Sequence, residues 1–197
     1  YVLVVNSSVP AKDVPELIAL LRANPGKYSF SSSGSGASAH LAAVLFNSMA
    51  NVNAVHVPYK GSSPSVTDLV SGQVAYTIET VPGIIGFVKS GRLRALAVST
   101  AKRSAAMPEL GTIADDLPGY EMSGWIGLMA PAGTPSELRA RLSAETRKIL
   151  QDPDIRSRFI ALGLDPAGNT PEEYTEFLKR QNDRYASIVK QAGLKLD

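Results

Sequence analysis

The 197-residue sequence contains no cysteine. That removes disulfides, thiolate chemistry and cysteine-ligated zinc or iron–sulfur sites. Histidine is nearly absent as well, with only His40 and His56. No H-E-x-x-H pair, G-x-S-x-G elbow or G-x-x-x-x-G-K-S/T loop occurs, so the common metalloprotease, hydrolase and nucleotide-triphosphate signatures are missing. Neither sign of charge dominates: 20 Lys and Arg stand against 18 Asp and Glu, a formal charge of +2. The basic residues Lys12, Arg22, Lys27, Lys60, Lys89, Arg92 and Arg94 are scattered, whereas a nucleic-acid binder concentrates them on one face or groove. No nucleic-acid partner is expected. Apolar runs are interrupted by Gly, Pro or charge well before the ~20 residues of a membrane span. No basic start, apolar run and small-residue cleavage site heads the sequence, which opens in a strand pattern, Tyr1-Val2-Leu3-Val4-Val5.

What is present is an ordinary globular composition, 44% apolar and 19% charged, in a chain long enough to bury a core. Over the first hundred residues, short β-branched runs alternate with helical periodicity. The strands expected are Val2–Val5, Tyr28–Ser31, Ala54–Val57, Val74–Ile78 and Arg94–Val98. The helices between them are Val14–Ala23, Ala39–Met49, Pro64–Ser71 and Pro82–Ser90. This alternation predicts an α/β sheet, largely parallel, with helices on both faces. Helix starts are marked by Asp13-Val14-Pro15-Glu16, Ser63-Pro64, Asp152-Pro153 and Thr170-Pro171-Glu172-Glu173, each a capping residue followed by proline. From about Pro131 the pattern becomes helical, with Pro135–Gln151, Asp154–Leu162 and Pro171–Ala192 preceded by one strand candidate, Ile126–Met129. Three amphipathic helices and one strand make a poor core alone, because each apolar face needs something to bury against.

The most informative stretch is Ser31-Ser32-Ser33-Gly34-Ser35-Gly36-Ala37-Ser38, between a strand and a helix. Its glycines let backbone N–H groups turn toward one point, and the first helical turn adds its own unpaired N–H groups. The hydroxyls of Ser33, Ser35 and Ser38 supply further donors. The composition divides evenly between a neutral cradle for a carboxylate or phosphate and a flexible turn of small polar residues. Gly34-x-Gly36-x-x-Ala39 also fits the dinucleotide fingerprint. The acid that should hold a ribose at the end of the next strand is missing, and only Lys60 is available for a 2′-phosphate. Two further loops follow strands and precede helices: Val57-Pro58-Tyr59-Lys60-Gly61-Ser62-Ser63-Pro64 and Glu79-Thr80-Val81-Pro82-Gly83. Three such loops at one sheet edge point to a pocket more strongly than any one alone, since open α/β sheets bind ligands beyond the carboxyl ends of their strands. His40 reads as a packed or capping helix residue and His56 as a half-buried strand residue. Carboxylates sit mostly at helix caps and faces, so no acid–base pair stands out.

Together, Ser31-Ser32-Ser33-Gly34-Ser35-Gly36…His40-Leu41, His56-Val57-Pro58-Tyr59-Lys60-Gly61-Ser62-Ser63-Pro64, Gly91-Arg92-Leu93-Arg94-Ala95-Leu96-Ala97-Val98 and Ala130-Pro131-Ala132-Gly133-Thr134-Pro135 resemble the tripartite tricarboxylate transporter substrate-binding proteins, the Bug family. The likeness runs through Asp152-Pro153 and Thr170-Pro171-Glu172 and covers essentially the whole chain. One small departure is Glu109-Leu110-Gly111-Thr112, where the family usually has Pro before Thr. The resemblance implies a type II periplasmic-binding-protein fold of two α/β lobes around a cleft for a small organic carboxylate, with a membrane permease or a sensor as partner. On this basis the ligand-binding residues expected are Ser32, Ser33, Gly34, Gly36, Ala37, Ser38, Tyr59, Lys60, Gly61 and Thr80, with no catalytic residue, metal or cofactor. Residues 1–121 are expected to form the second lobe and residues 122–197 the returning strand and helices of the first. The family's N-terminal part of the first lobe has no counterpart here, which predicts weak carboxylate binding by this chain alone and self-association or domain swapping through its uncovered helices. Two other functions share the architecture: the effector-binding domain of a transcription regulator, and an α/β enzyme using a phosphorylated nucleotide.

Overall fold

The computed structural model describes residues 1–191; Ala192, the expected last residue of the final helix, and the rest of the 122–197 segment beyond it lie outside the described residues. The strands are β1 (Val2–Asn6), β2 (Ser29–Ser32), β3 (Val55–Pro58), β4 (Tyr76–Glu79) and β5 (Leu93–Val98). The helices are α1 (Val14–Ala23), α2 (Ser38–Ala50), α3 (Ser62–Ser71), α4 (Val81–Lys89), α5 (Ser136–Gln151), α6 (Pro153–Ala161) and α7 (Pro171–Gln191). The strands form one sheet in the order β3-β2-β4-β1-β5.

The expectation of a largely parallel sheet holds for direction but not for pairing. β2 runs parallel to β3 and β4, whereas β1 runs antiparallel to both of its neighbours, β4 and β5. Four strands therefore share one direction and β1 alone reverses it. Every residue of β1 is buried, and a doubly buried apolar run reads the same whichever way it runs. Its alternate side chains supply two cores. Leu3 and Val5 join Phe30, Tyr76, Leu17, Leu21, Leu41 and Phe46 under α1 and α2. Val2 and Val4 join Val66, Leu69, Ile84 and Val98 under α3 and α4.

Local chemistry explains most element boundaries. Asp13 accepts the Glu16 N–H (2.8 Å) while Glu16 accepts the Lys12 N–H (2.7 Å). Asp152 accepts from Asp154 and Ile155, and Thr170 and Glu173 cap each other reciprocally. The expected cap at Ser63 is displaced: α3 begins at Ser62, with Gly61 as its N-cap. Gly61 takes φ +112° and donates its N–H to Ser33 O at 3.0 Å, a backbone path that starts the helix two residues sooner. Tyr76 donates to Asn47 Oδ1 (2.6 Å) and Tyr120 to Ala42 O (3.0 Å), so both buried phenols fasten α2 in place.

After β5 the chain stays with the sheet as far as Met122. Ser99 and Met122 exchange bonds, Met122 N–H to Ser99 O at 2.7 Å and Ser99 Oγ to Met122 O at 2.6 Å. Burial then ends abruptly. The expected strand Ile126–Met129 does not form; Ile126 is 85% exposed and Leu128 77%. A strand needs an edge to pair with, and among the described residues none lies beside it. α5 and α6 bury no side chain. α7 returns to α2, its buried Ile188 joining the core there, and an Arg184–Glu121 ion pair of 2.6 Å ties it to the segment after β5.

Asn6 closes the end of β1. Its Nδ2 donates to Leu69 O (2.8 Å) and Val70 O (3.1 Å), and its Oδ1 accepts from Ser8 N–H (2.9 Å) and Ser8 Oγ (2.6 Å). It is 6% exposed, so truncation removes four hydrogen bonds from a buried site, although Leu69 O keeps the Gly72 N–H at 3.2 Å. Asn6→Ala is expected to lower stability by about 2–3 kcal/mol, read as a reduced midpoint in urea at unchanged slope.

Candidate functional site

β2, β3, β4 and β5 all end at one edge of the sheet, at Ser32, Pro58, Glu79 and Val98, and α2, α3 and α4 begin there. Two bonds continue the β2–β3 pairing beyond the strands: Tyr59 N–H to Ser32 O (3.0 Å) and Gly61 N–H to Ser33 O (3.0 Å). The first two loops therefore move as one piece. Gly34 has φ +146° and Gly36 φ +77°. A side chain at Gly34 would meet Tyr59 O at 3.5 Å, which shows how closely the loops approach. Ala37 donates to Gly34 O (3.2 Å) and serves as N-cap of α2 without a side-chain bond. The N–H groups of Ser38, Ala39 and His40 form the first helical turn and have no intrahelical acceptor. They carry the positive end of the α2 dipole toward Ser35–Ala37.

The expected site residues divide in two. Gly34, Gly36, Ala37, Ser38 and Gly61 bring backbone donors and helix starts to this edge. Ser33 contributes its carbonyl to the bond with Gly61, and Lys60 stands exposed at the rim. Ser32, Tyr59 and Thr80 are committed elsewhere. Ser32 is fully buried, and its Oγ lies 2.7 Å from His56 Nε2 and within bonding distance of Gly34 N and O. Tyr59 donates its phenol to Asp68 Oδ2 at 2.7 Å. Loss of solvent and that carboxylate push the Tyr59 phenol up to about 12. Thr80 donates both N–H (2.7 Å) and hydroxyl (3.1 Å) to Glu79 Oε1. Glu79 is 3% exposed and sits just before α4, and its Oε2 has no hydrogen-bond partner among the described residues.

Sequence reasoning gave the two histidines no place in the site. β2–β3 register sets Phe30 opposite His56, and α2 lowers His40 onto the same spot. The imidazoles stack at 3.9 Å between centroids, with Phe30 4.9 Å from His56. Gly36 N–H donates to His40 Nδ1 at 3.1 Å. Burial lowers His40, and burial together with the neighbouring His40 holds His56 down at about 4. Both rings are neutral near pH 7. A spacing of sixteen positions between two histidines carries no signal; only the strand pairing brings them together. Ser62 was likewise passed over, although it opens α3 and its Oγ lies 3.5 Å from where a Gly83 side chain would stand, beside Thr80.

An open α/β sheet with its ligand-type loops gathered at the carboxyl ends of co-directional strands is a periplasmic-binding-protein-like fold. Within that class the chain belongs to the family described as the tripartite tricarboxylate transporter family receptor, which matches residues 1–194. It is 40% identical over 190 residues to the UPF0065 protein in the tcbD-tcbE intergenic region of Pseudomonas sp. (strain P51), covering 95% of this chain and 56% of that protein. It is 35% identical to protein BugT of Bordetella pertussis over 99% of this chain and 60% of that protein. Among solved structures, R. palustris Rpa4515 with adipate superposes with a TM-score of 0.90 at 34% identity, covering 98% of this chain and 64% of the other. MatC from Rhodopseudomonas palustris with bound malate gives 0.81 at 26% identity, covering 95% and 65%. The chain thus spans 56–60% of the length of these two curated relatives.

Gly34→Ala puts a side chain in a backbone region that L-residues rarely adopt, at a cost of about 1–2 kcal/mol. Denaturation should register that loss. Hydrogen exchange should show faster opening at the Ala37 amide, while amides of β1 keep their protection.

Proposed function

We propose that this chain is the carboxylate-gripping part of a periplasmic solute-binding protein, one that captures a small organic acid for a tripartite tricarboxylate-type permease or a sensor. The observation that carries the reading is the neutral cradle at Gly34–Ser38. Two glycine-shaped loops are locked to each other by backbone bonds, and the first turn of α2 points unpaired N–H groups at the space above them. Such donors suit a carboxylate without requiring a fixed cation. The adipate and malate bound by the two R. palustris relatives support the same ligand class. The reading is one of capture and release, with no bond made or broken.

In this proposal residues 1–121 are the second lobe and residues 122–197 belong to the first. The loss of burial between Met122 and α7 supports the division, while Ile188 of α7 packs back into the core of the sheet. The exposed Ile126, Leu128, Met129, Leu138, Leu142 and Ile149 are then the apolar surface of an incomplete lobe, which favours self-association. A carboxylate held by one lobe stays hydrated, so affinity depends on both jaws.

Calorimetry with adipate, malate and a phosphorylated dinucleotide tests the reading on a form of the protein carrying both lobes. Binding of at least one carboxylate, with no heat from the nucleotide, is expected. Nucleotide binding with indifference to carboxylates would refute it. The 197-residue chain alone is expected to bind the same acid weakly or not at all, and to sediment as more than a monomer. Lys60→Ala should weaken carboxylate binding less than about fivefold, because an exposed lysine contributes roughly 1 kcal/mol or less.

A further inference from the structure

We propose that His40 and His56 are positioning residues for the carboxylate cradle: a stacked pair of neutral imidazoles whose ring nitrogens hold the Ser32–Gly36 loop in its ligand-ready shape. The inference rests on the carboxylate reading above and adds to it the groups that set the cradle's geometry.

The hydrogen-bond inventory fixes the roles. His40 Nδ1 accepts the Gly36 N–H, so its ring proton must sit on Nε2. Ser32 Oγ faces three polar atoms: Gly34 N (3.3 Å), Gly34 O (3.1 Å) and His56 Nε2 (2.7 Å). A hydroxyl has one proton to give and two lone pairs. All three contacts are satisfied together when Ser32 donates to Gly34 O and accepts from Gly34 N–H and from His56 Nε2–H. One imidazole therefore fixes Gly36 directly, and the other fixes Gly34 through Ser32. These two glycines are the positions where the loop adopts positive φ.

Packing alone does not account for the pair. Phe30 stacks on both rings, at 4.9 Å from His56 and 6.3 Å from His40, and Tyr76 lies 5.6 Å from Phe30. A third hydrocarbon ring would fill the same space. What a hydrocarbon lacks is an acceptor for Gly36 and a donor for Ser32. Protonation of His40 would set an N–H against the Gly36 N–H and break that bond. Among the described residues, each imidazole is the only charged or titratable group on β2, β3 or α2 that faces the other. From α7, Tyr185 reaches toward Ser38 and Ser123, and Arg184 is paired with Glu121. Burial lowers both rings from the ordinary histidine value of 6.5, His56 to about 4, so the loop stays intact down through 6.5 and loosens only as pH falls through those lowered values.

The test uses adipate as probe, with calorimetry between pH 5 and 8 on the two-lobed form, and amide NMR of the unliganded protein. His40→Asn keeps an acceptor oxygen near the Nδ1 position; His40→Leu keeps apolar bulk and has none. His40→Asn should bind within about threefold of wild type at pH 8, and His40→Leu should lose about tenfold, the worth of one such bond. As pH falls through the lowered His40 titration, beneath 6.5, wild-type affinity should drop relative to His40→Asn, a ratio from which the ligand's own titration cancels. Without ligand, the Gly36 amide resonance should follow the His40 titration in the wild-type protein, which needs no variant to fold. His56→Gln, which preserves a donor at the Nε2 position, should retain binding. Adipate affinity of His40→Leu equal to wild type, or a Gly36 amide indifferent to His40 while wild type still binds, would overturn the positioning role alone. Failure of wild type to bind any carboxylate, with the Gly36 amide still tracking His40, would instead defeat the receptor reading.

Discussion

Two backbone hydrogen bonds, Tyr59 N–H to Ser32 O and Gly61 N–H to Ser33 O, carry the parallel β2–β3 ladder past its last residues and into the loops. Without them, each glycine-rich loop would be a separate mobile turn, and its N–H groups would point nowhere in common. With them, the loop before α2 and the loop before α3 share one rigid frame. The sheet's directionality completes the arrangement, because helix starts collect only where strands end together. β1, running the other way between β4 and β5, starts at that edge with Val2 opposite Glu79 and Val98, contributes no helix start there and instead supplies both cores.

The three strand-to-helix loops are not equivalent, and the difference is electrostatic. α2 presents an open first turn. α3 starts from Gly61 with Ser62 beside it. α4 begins against Glu79, whose carboxylate collects the N–H and hydroxyl of Thr80. A buried carboxylate thus stands beside the third loop, where like charge disfavours a second anion. This also explains why Thr80, plausible as a donor from its place in the sequence, spends its donors internally.

Much of this was legible in the residues. The strand and helix runs up to Val98, the caps at Asp13, Asp152 and Thr170, and the two glycine loops all follow from local chemistry, and local chemistry is what a sequence displays. The direction of β1 was not legible, since a doubly buried strand has no polar face to orient it. Ile126–Met129 carries a strand's composition but lacks an edge to pair with among the described residues, and composition does not reveal whether a partner is present. Ser32 and Tyr59 stand in the right loops, yet their hydroxyls answer to His56 and Asp68, partners chosen by folding. The His40–His56 stack exists only once β2 and β3 are in register.

A cradle of oriented peptide dipoles differs from a cluster of lysines and arginines in how it meets the surrounding electrolyte. Mobile ions screen exposed charges at separations beyond about 8 Å at physiological ionic strength, and they weaken attraction between ion pairs at a surface. The N–H groups of the first α2 turn act at contact distance, from a frame whose loops are held by Gly61 and by buried Ser32. A carboxylate held there, as proposed, would be gripped by geometry and would respond little to the salt around it.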